Sequence, residues 1–291
     1  MKTSVSTYSF LPLREKGMSL TQCAEKVKEM GFDAIEITTL PSQCDREYEA
    51  RTMRDVCERL NLPVANYTVS ADFLNIKDGG SLSDEIERIK KEIDIAEILG
   101  APGLRHDAAT WGYRKNQHGF RGFDNVLPIL AEGCRAVTEY AAEKNIKTMV
   151  ENHGYFAQDS DRVEKLVNTV ARDNFGLLVD MGNFLCVDES PVEAVSRTAP
   201  YAFHVHAKDF HIKSGSGPSP GGGFFPSRGG NFLRGAIIGH GEVPVKQCLR
   251  ILKAAGYDGY ISIEFEGMED TLAALSIGLD NLKRYIWELE A

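Results

Sequence analysis

The chain has 291 residues, of which 43% are hydrophobic and 26% are charged, and its formal net charge is −9. This length is long for one average domain but normal for a single α/β barrel, which typically has about 250 residues before insertions. The composition is typical of a globular protein with a large core. The acidic, evenly spread charge argues against sequence-independent nucleic-acid binding, which usually needs a basic face.

The cysteines and the start of the chain indicate a cytoplasmic protein. Six cysteines lie at positions 23, 44, 57, 134, 186 and 248, and no two of them form a CxxC pair. We therefore expect reduced, mostly buried thiols. The opening residues MKTSVSTYSFLPLREKG contain no apolar signal-peptide core, and no segment approaches the roughly eighteen apolar residues of a membrane span.

Strand-like and helix-like patterns alternate along the whole chain. The first helix pattern has Ser19 as its expected N-cap and Gly31 as its expected C-terminal stop. The predicted strands are SVSTYSF (4–10), DAIEIT (33–38), PVANYTV (63–69), GLRH (103–106), IKTMVEN (146–152), FGLLVD (175–180), YAFHVHAKDF (201–210) and GYISIEFE (259–266). The predicted helices lie at about 19–32, 45–60, 82–99, 123–145, 159–172, 190–197, 244–255 and 269–289.

This alternation predicts parallel strands joined by right-handed crossovers. Eight strand–helix units in this length favour a closed (β/α)8 TIM barrel that occupies residues 1–291 as a single domain. An open doubly wound sheet is the alternative. Such a sheet usually has a glycine-rich first turn, and Tyr8-Ser9-Phe10-Leu11-Pro12 does not provide one.

One long stretch departs from the alternation. Residues 211–243, between the seventh strand and its helix, are rich in glycine, proline and serine and predict an irregular loop. A structureless loop of this length inside a compact domain is usually a lid, a substrate-binding loop or an oligomer arm. A surface insertion without function is the alternative.

Functional side chains in such a barrel come from the carboxyl ends of its strands. The strand ends present Glu36, Asn66, His106, Glu151 with His153, Asp180, His206 with Lys208, and Glu264 with Glu266. Strands 5 to 8 each end on a ligand-type side chain within apolar sequence, namely Glu151, Asp180, His206 and Glu264. Three carboxylates buried together would repel one another unless a cation or shared protons intervened. One divalent metal ion resolves that conflict, and Mn²⁺, Mg²⁺, Co²⁺, Zn²⁺ and Fe²⁺ all suit three carboxylates and one imidazole.

Each of these four residues also has a purely structural interpretation. Glu151 could cap the loop after its strand, and Asp180 could form an Asx-turn before Gly182. His206 could be a hydrogen-bonded core histidine, and Glu264 could form an ion pair with Lys208. These interpretations would all have to hold at equivalent places on four strands, which favours the metal site.

The same residues match a known family. The chain resembles the xylose-isomerase-like barrel superfamily of sugar phosphate isomerases and epimerases, over nearly its whole length. The motifs that carry the resemblance are GFDAIEI, VENHG, GLLVDMGN, HVHAKDF and GYDGYISIEFEG. The resemblance implies that Glu151, Asp180, His206 and Glu264 are the metal ligands. By similarity to the ketose epimerases, Glu151 and Glu264 are also the catalytic acid/base pair.

Two departures from the family pattern affect the expected function. Many members have a histidine three residues after the strand 6 aspartate, where this chain has Asn183. Endonuclease IV, another member, binds three zinc ions with many histidines, whereas this chain has seven histidines in all. The resemblance therefore favours a carbohydrate enzyme over a DNA-repair enzyme.

The expected activity is that of an isomerase or epimerase of a sugar, keto sugar or related polyol. One divalent metal ion, with Mn²⁺ as the first choice, would stabilise an enediolate while Glu151 and Glu264 move the proton. A dehydratase of the inosose or dehydroshikimate type, using the same site, is the first alternative. A carbohydrate-binding or partner subunit without turnover is the second. We expect neither nucleic acid nor membrane as a partner, and a homo-oligomer is possible.

The expected substrate-binding residues surround the metal ligands. They are Glu36, His106, Trp111, His153, Lys208 and Arg228. Trp111 could stack on a sugar, and Arg228 or Arg234 in the long loop could close on an anionic group. His204, one layer deeper than His206, is expected to be a core histidine that supports the site.

Overall fold

Eight parallel strands close into one barrel in the computed structural model of the protein, which describes residues 1–41, 45–74, 76, 80–110 and 122–290. The barrel strands are β1 (Lys2–Ser6), β2 (Ala34–Thr38), β3 (Val64–Thr68), β4 (Gly103–His106), β5 (Lys147–Glu151), β6 (Phe175–Asp180), β7 (Ala202–Ala207) and β11 (Tyr260–Ile263). They pair in the order β1-β11-β7-β6-β5-β4-β3-β2. The predicted single (β/α)8 barrel is thus confirmed.

Helices separate the barrel strands along the chain, as the alternation predicted. They are α1 (Leu11–Arg14), α2 (Leu20–Met30), α3 (Arg46–Leu60), α4 (Leu82–Leu99), α5 (Phe123–Ala142), α6 (Ser160–Val170), α7 (Pro191–Thr198), α8 (Val245–Ala254) and α9 (Thr271–Glu290). Within the described ranges, no helix is both long and apolar enough to cross a membrane.

Local sequence signals account for the helix ends. Ser19 and Gln22 form a reciprocal capping box at the start of α2, and Gly31 ends that helix with a left-handed φ of 84°. These contacts satisfy backbone groups that a helix terminus would otherwise leave unpaired. Both predicted boundary residues of this helix are confirmed.

The barrel wall separates an apolar layer from a polar interior. Side chains alternate between the two faces of each barrel strand. The buried residues Ile35, Val150, Val179 and Val205 belong to the main hydrophobic cluster, which lies between the strands and the surrounding helices. The residues that follow each of them on its strand are Glu36, Glu151, Asp180 and His206, and these face the opposite side. The fold therefore places the polar strand ends inside the barrel.

Three predicted strands end at least three residues earlier in the structure, namely the first, the eighth and the seventh, which was expected to reach Phe210 but ends at Ala207. The first was expected over 4–10, but the chain turns into a 3-10 helix at Thr7–Phe10, where the Ser6 hydroxyl accepts the Tyr8 N–H. The eighth was expected over 259–266, but β11 ends at Ile263. The Phe265 N–H then donates to the Ser9 side chain, at 2.9 Å, so the ladder does not continue.

The segment after β7 is not the irregular loop that its composition predicted. It contains β8 (Asp209–Lys213), β9 (Phe225–Pro226) and β10 (Phe232–Ala236), which form an antiparallel sheet in the order β8-β10-β9. We call residues 209–236 the excursion. Phe210 and Leu233 pack with Cys186 in a small apolar cluster, separate from the main core. This cluster stabilises the excursion, and it could not be predicted from the high glycine and proline content of the segment.

Candidate active site

The four ligand-type residues predicted on strands 5 to 8 converge at the carboxyl end of the barrel. Glu151 and Asp180 end β5 and β6, His206 lies on β7, and Glu264 directly follows β11. The strand register aligns Asp180 with His206 and His206 with Ser262. Each residue offers one nitrogen or oxygen atom, and these four atoms all lie within 4.8 Å of one another. We call Glu151, Asp180, His206 and Glu264 the ligand cluster.

His206 occupies the centre of the ligand cluster. Its Nδ1 lies 3.9 Å from Glu151 Oε1 and 3.7 Å from both Asp180 Oδ2 and Glu264 Oε2. These distances are too long for hydrogen bonds, and this buried nitrogen has no hydrogen-bond partner among the described residues. A buried polar atom without a partner is unusual in a native protein. A cation between these groups would satisfy it.

Two basic side chains offset part of the negative charge. Arg105 Nε lies 2.6 Å from Glu151 Oε2, and Lys208 Nζ lies 2.5 Å from Glu264 Oε2 and 3.2 Å from Asp180 Oδ2. Burial opposes the charge of Asp180, but Lys208 and His206 outweigh it and lower the pKa of Asp180 to about 2. Burial raises the pKa of Glu151, although Arg105 and His206 oppose the rise. The two carboxylates therefore differ in proton affinity.

Asn183 connects several members of the site. Its side-chain amide donates to Glu151 Oε1 at 2.8 Å and accepts from Lys208 Nζ at 3.1 Å. Its backbone N–H donates to Asp180 Oδ1 at 2.9 Å. This is the position at which the sequence departs from the family pattern. Here the amide both donates and accepts, so it holds Glu151 and Lys208 in fixed relative positions.

The structure places Lys208 and His153 on the wall of a cavity above the ligand cluster. His153 Nδ1 lies 2.8 Å from Asp107 Oδ1, and the histidine side chain is 45% exposed. The partial burial of the ring opposes protonation of His153, but the charge of Asp107 outweighs it and raises the histidine's pKa. Asp107 also accepts from Arg105 at 2.9 Å. Burial opposes the charge of Asp107, yet Arg105 and His153 lower its pKa to about 2.

Glu36 and His106 were predicted to bind substrate, but neither lines this cavity. Glu36 is completely buried below His206. His106 is also completely buried, lies between the rings of Phe73 and Phe175, and has Nδ1 2.8 Å from the Asp107 carbonyl oxygen. Burial lowers the pKa of His106 to about 4. Both residues are therefore enclosed by protein.

Arg105 is the charged cavity residue that was not predicted from the sequence. The register of β4 against β5 aligns Arg105 with Met149 and His106 with Val150. Met149 shares a face with Glu151, so Arg105 points into the barrel and His106 points out. His106 was predicted because it is the last residue of β4. The alternation of side chains between the two faces of the strands, counted from Glu151, indicates Arg105 instead.

The two arginines that were expected to contact the substrate do not join the ligand cluster. Arg228 makes a two-armed ion pair with Asp159 and donates to the Tyr155 carbonyl at 3.4 Å. Arg234 lies 3.3 Å from Glu269 and is likewise paired. The predicted contact of Trp111 lies outside the described residues.

The cavity has a volume of about 280 Å³ and two chemically different sides. One side carries the charged groups Arg105, Glu151, His153, His206, Lys208, Glu264 and Glu266. The other side carries hydroxyl groups from the first three barrel units, supplied by Tyr8, Thr38, Thr39, Thr68 and Ser70. We call this second group the hydroxyl arc. A cavity with one charged side and one hydroxyl side suits a small molecule rich in oxygen.

Sequence comparison relates the chain to both uncharacterized proteins and enzymes. It is 24% identical over 300 residues to an uncharacterized protein of Methanocaldococcus jannaschii, covering 98% of this chain and 89% of that protein. It is 26% identical over 272 residues to an inosose dehydratase of Clostridium perfringens (strain 13), covering 88% of this chain and 85% of that enzyme. A match to an inosose dehydratase of Clostridium botulinum (strain Alaska E43), at 26% identity over 145 residues, covers 47% of this chain and 46% of that enzyme.

Solved structures with the same fold cover the whole chain. The IOLI protein with a bound zinc atom superposes with a TM-score of 0.77 at 17% sequence identity, covering 99% of each chain. A D-tagatose 3-epimerase-like protein superposes with a TM-score of 0.71 at 21% identity, covering 100% of this chain and 98% of the other. At these identities the likeness shows the fold.

A sequence model of one protein family matches most of the chain. The model of the xylose isomerase-like TIM barrel matches residues 24–285, which include the ligand cluster and all barrel strands except β1. The match agrees with the closed barrel and with the family motifs in the sequence. This protein belongs to the xylose isomerase-like TIM barrel family.

Proposed function

We propose that this protein is a divalent-metal-dependent isomerase or epimerase of a sugar, keto sugar or related polyol. The observation that carries the proposal is the ligand cluster, in which His206 Nδ1 lacks a hydrogen-bond partner among the described residues and faces three carboxylates. Burying three carboxylates together costs free energy that a divalent cation offsets. The barrel fold by itself does not imply a function, so the proposal is based on these four residues and not on the fold.

The residues present fit a metal ion of the Mn²⁺ type. Glu151, Asp180 and Glu264 offer carboxylate oxygens, and His206 offers one imidazole nitrogen. Mn²⁺ is our first choice, and Mg²⁺, Co²⁺, Zn²⁺ and Fe²⁺ suit the same set. When bound, the ion would act as a Lewis acid that stabilises negative charge on the carbonyl oxygen of the substrate.

Glu151 and Glu264 are our candidates for moving the proton. Their strands, β5 and β11, flank the adjacent pair β6 and β7, so the two carboxylates enter the site from opposite sides of Asp180 and His206. One carboxylate would remove a proton from the carbon next to the carbonyl group. The other would return a proton, either to the opposite face or to the neighbouring carbon. Burial raises the pKa of Glu151, which suits it to accept the proton.

The hydroxyl arc supports a substrate with several hydroxyl groups. Thr39 already donates to the Thr68 carbonyl oxygen, and Thr38 shares a hydrogen bond with Thr7. The hydroxyls of Tyr8 and Ser70 stand nearby on the same wall of the cavity. Thr39 can therefore only accept from a substrate, whereas a hydroxyl group such as that of Tyr8 or Ser70 can donate or accept, so this wall can bind sugar hydroxyls in either sense. Lys208 and His153 would bind oxygen atoms near the reacting carbons.

A dehydratase is the second candidate, and one pair of residues favours it. His153 faces the cavity and contacts Asp107, whose charge raises the pKa of the imidazole. A protonated histidine at this place could give its proton to a departing hydroxyl group after the carbon-bound proton has been removed. The sequence similarity to inosose dehydratases agrees with this chemistry.

The experiment that tests the proposal measures proton abstraction directly. Metal-free protein is loaded with Mn²⁺ and incubated in D₂O with a panel of ketoses, inososes and keto acids, and deuterium at the carbon next to the carbonyl is measured by mass spectrometry. We expect exchange with at least one polyhydroxylated ketone, and its loss in Glu264→Gln. A product lighter by one water would identify the dehydratase. No exchange and no conversion with any compound would contradict the proposed enzyme and favour a binding function.

A further inference from the structure

A carboxylate below the ligand cluster contacts two histidines at once. Glu36 Oε1 lies 2.8 Å from His206 Nε2, and Glu36 Oε2 lies 2.8 Å from His204 Nε2. Glu36 has no exposed surface, and both histidines are at most 2% exposed. These three residues come from β2 and β7, which lie on different sides of the barrel, so the contact crosses its interior.

The chemistry of Glu36 determines which nitrogen of His206 carries hydrogen. An ionised carboxylate only accepts hydrogen bonds, so the nitrogen that contacts it must be protonated. His206 Nε2 is that nitrogen, because it lies 2.8 Å and 3.0 Å from the two Glu36 oxygens. A neutral imidazole has one N–H, so a neutral His206 that is protonated at Nε2 has its lone pair on Nδ1. Nδ1 is the nitrogen that faces Glu151, Asp180 and Glu264.

A further set of contacts holds Glu36 in place. His204 Nε2 also lies 2.8 Å from the Ser262 hydroxyl, and the Asn66 amide donates to Glu36 Oε2 at 3.5 Å. His204 and His206 alternate on one strand, so both imidazoles reach the same carboxylate from the same face. The carboxylate therefore has little freedom to rotate away from His206.

We propose that Glu36 is a positioning residue, which fixes His206 as the Nε2–H tautomer and so presents Nδ1 to a divalent cation. This role replaces the substrate contact that the sequence analysis predicted for Glu36, and it rests on the metal site proposed above. Removing a carboxylate that accepts the ring N–H of a metal-binding histidine typically lowers metal affinity 10- to 100-fold. His204 and Ser262 support Glu36 in this role.

Replacing Glu36 by glutamine tests the proposal, because an amide cannot serve both histidines in the same way. Glutamine has one acceptor oxygen, and its NH₂ group would face one imidazole N–H. Mn²⁺ affinity is measured by competition with a fluorescent chelator at fixed pH, starting from metal-free protein. We expect Glu36→Gln to bind Mn²⁺ about 10- to 100-fold more weakly than the wild type.

The control is a buried carboxylate away from the cluster. Glu92 is 3% exposed and is paired with Arg46 and Tyr67 on the outer side of the barrel. Glu92→Gln should leave Mn²⁺ affinity unchanged, although it removes a buried charge as Glu36→Gln does. Equal affinities of Glu36→Gln and the wild type would overturn the proposal, and so would an equal loss in both variants.

A second measurement needs no variant and remains decisive if Glu36→Gln does not fold. Protein labelled with ¹⁵N-histidine is loaded with Zn²⁺, which is diamagnetic, and the ring nitrogens of His206 are assigned by NMR. We expect a protonated Nε2 and a metal-bound Nδ1. Metal on Nε2, or hydrogen on Nδ1, would overturn the proposed role of Glu36. Failure of the wild type to bind any divalent ion would instead contradict the metal site of the proposed function.

Discussion

Asn183 illustrates how one side-chain amide can connect two charged groups from different parts of the barrel. It is 3% exposed, donates to Glu151 and accepts from Lys208. This position can be identified from the sequence, because the motif GLLVDMGN places Asn183 just after the predicted ligand at the end of β6. The contacts of Glu36 with His206 and of Asp107 with His153 could not be predicted, because the paired residues are 46 or more positions apart in the sequence.

Removing the Asn183 amide should destabilise the protein. Leucine has a similar size but leaves Glu151 and Lys208 without this partner inside the barrel, and such a loss typically costs about 1–3 kcal/mol. We expect Asn183→Leu to lower the free energy of unfolding in urea by this amount. Asn125, which is exposed on α5, provides the control, and Asn125→Leu should change it by less than about 0.5 kcal/mol. Equal effects at both positions would contradict the bridging role.

The lowered pKa of Asp107 implies that the free energy of unfolding of the protein depends on pH. Arg105 and His153 overcome burial and hold its pKa at about 2, below the ordinary value of 3.8. A carboxylate with a lowered folded-state pKa stabilises the fold above its unfolded pKa and loses that contribution as the pH falls through the folded pKa. The difference in unfolding free energy between wild type and Asp107→Asn should therefore shrink by about 2 kcal/mol between pH 5 and pH 2. A constant difference across this range would contradict the assignment.

At the scale of elements, the excursion contacts both the turn after β5 and the segment after β6. Arg228 pairs with Asp159, Ser227 donates to Asp188 at 2.6 Å, and the Tyr155 hydroxyl donates to the Pro226 carbonyl at 2.9 Å. Tyr155 has a left-handed φ of 65° and follows Gly154, whose φ is 80°. This turn directly follows His153. The excursion therefore supports a backbone conformation that is unfavourable for tyrosine and lies beside the cavity.

Removing the Arg228 contacts should make both the excursion and the turn after β5 more mobile. We expect Arg228→Ala to increase amide hydrogen exchange in residues 154–159 and 225–231, because Asp159 keeps only Arg162 as a cationic partner and the turn loses a restraint. Hydrogen–deuterium exchange measured by mass spectrometry gives the result peptide by peptide. Arg250→Ala, at an exposed position on α8, is the matched control. Faster exchange in the excursion alone would show that it does not restrain the turn.

The strands and helices could be predicted from the sequence where the spacing of apolar residues is regular. The eight barrel strands and the capped helix α2 follow from apolar runs and from Ser19 and Gly31. The excursion was not predictable in detail, because β8 and β10 are short and separated by a glycine- and proline-rich stretch. Their pairing depends on Leu233 packing with Phe210 and on Asp209, which accepts backbone N–H groups from Gly239, Gly241 and Val243.

At the scale of the whole molecule, barrel closure creates the site. The ligand cluster comes from β5, β6, β7 and the end of β11, and Glu36 comes from β2, so no short fragment contains it. A divalent ion that binds the folded chain alone should therefore stabilise it by mass action, by about 2.7 kcal/mol when the free ion concentration is 100 times the dissociation constant. Thermal unfolding of metal-free protein with increasing Mn²⁺ checks this expectation, and an unchanged midpoint would contradict it.

The central claim is that Glu151, Asp180, His206 and Glu264 bind one divalent ion. Calorimetric titration of metal-free protein with Mn²⁺ tests it most directly, with Asp180→Asn as the site variant and Asp188→Asn as the matched variant outside the cluster. Circular dichroism establishes that all three proteins are folded. We expect one ion per chain in the wild type and in Asp188→Asn, and at least a 100-fold weaker affinity in Asp180→Asn. No saturable binding by the wild type, or equal binding by Asp180→Asn, would contradict it.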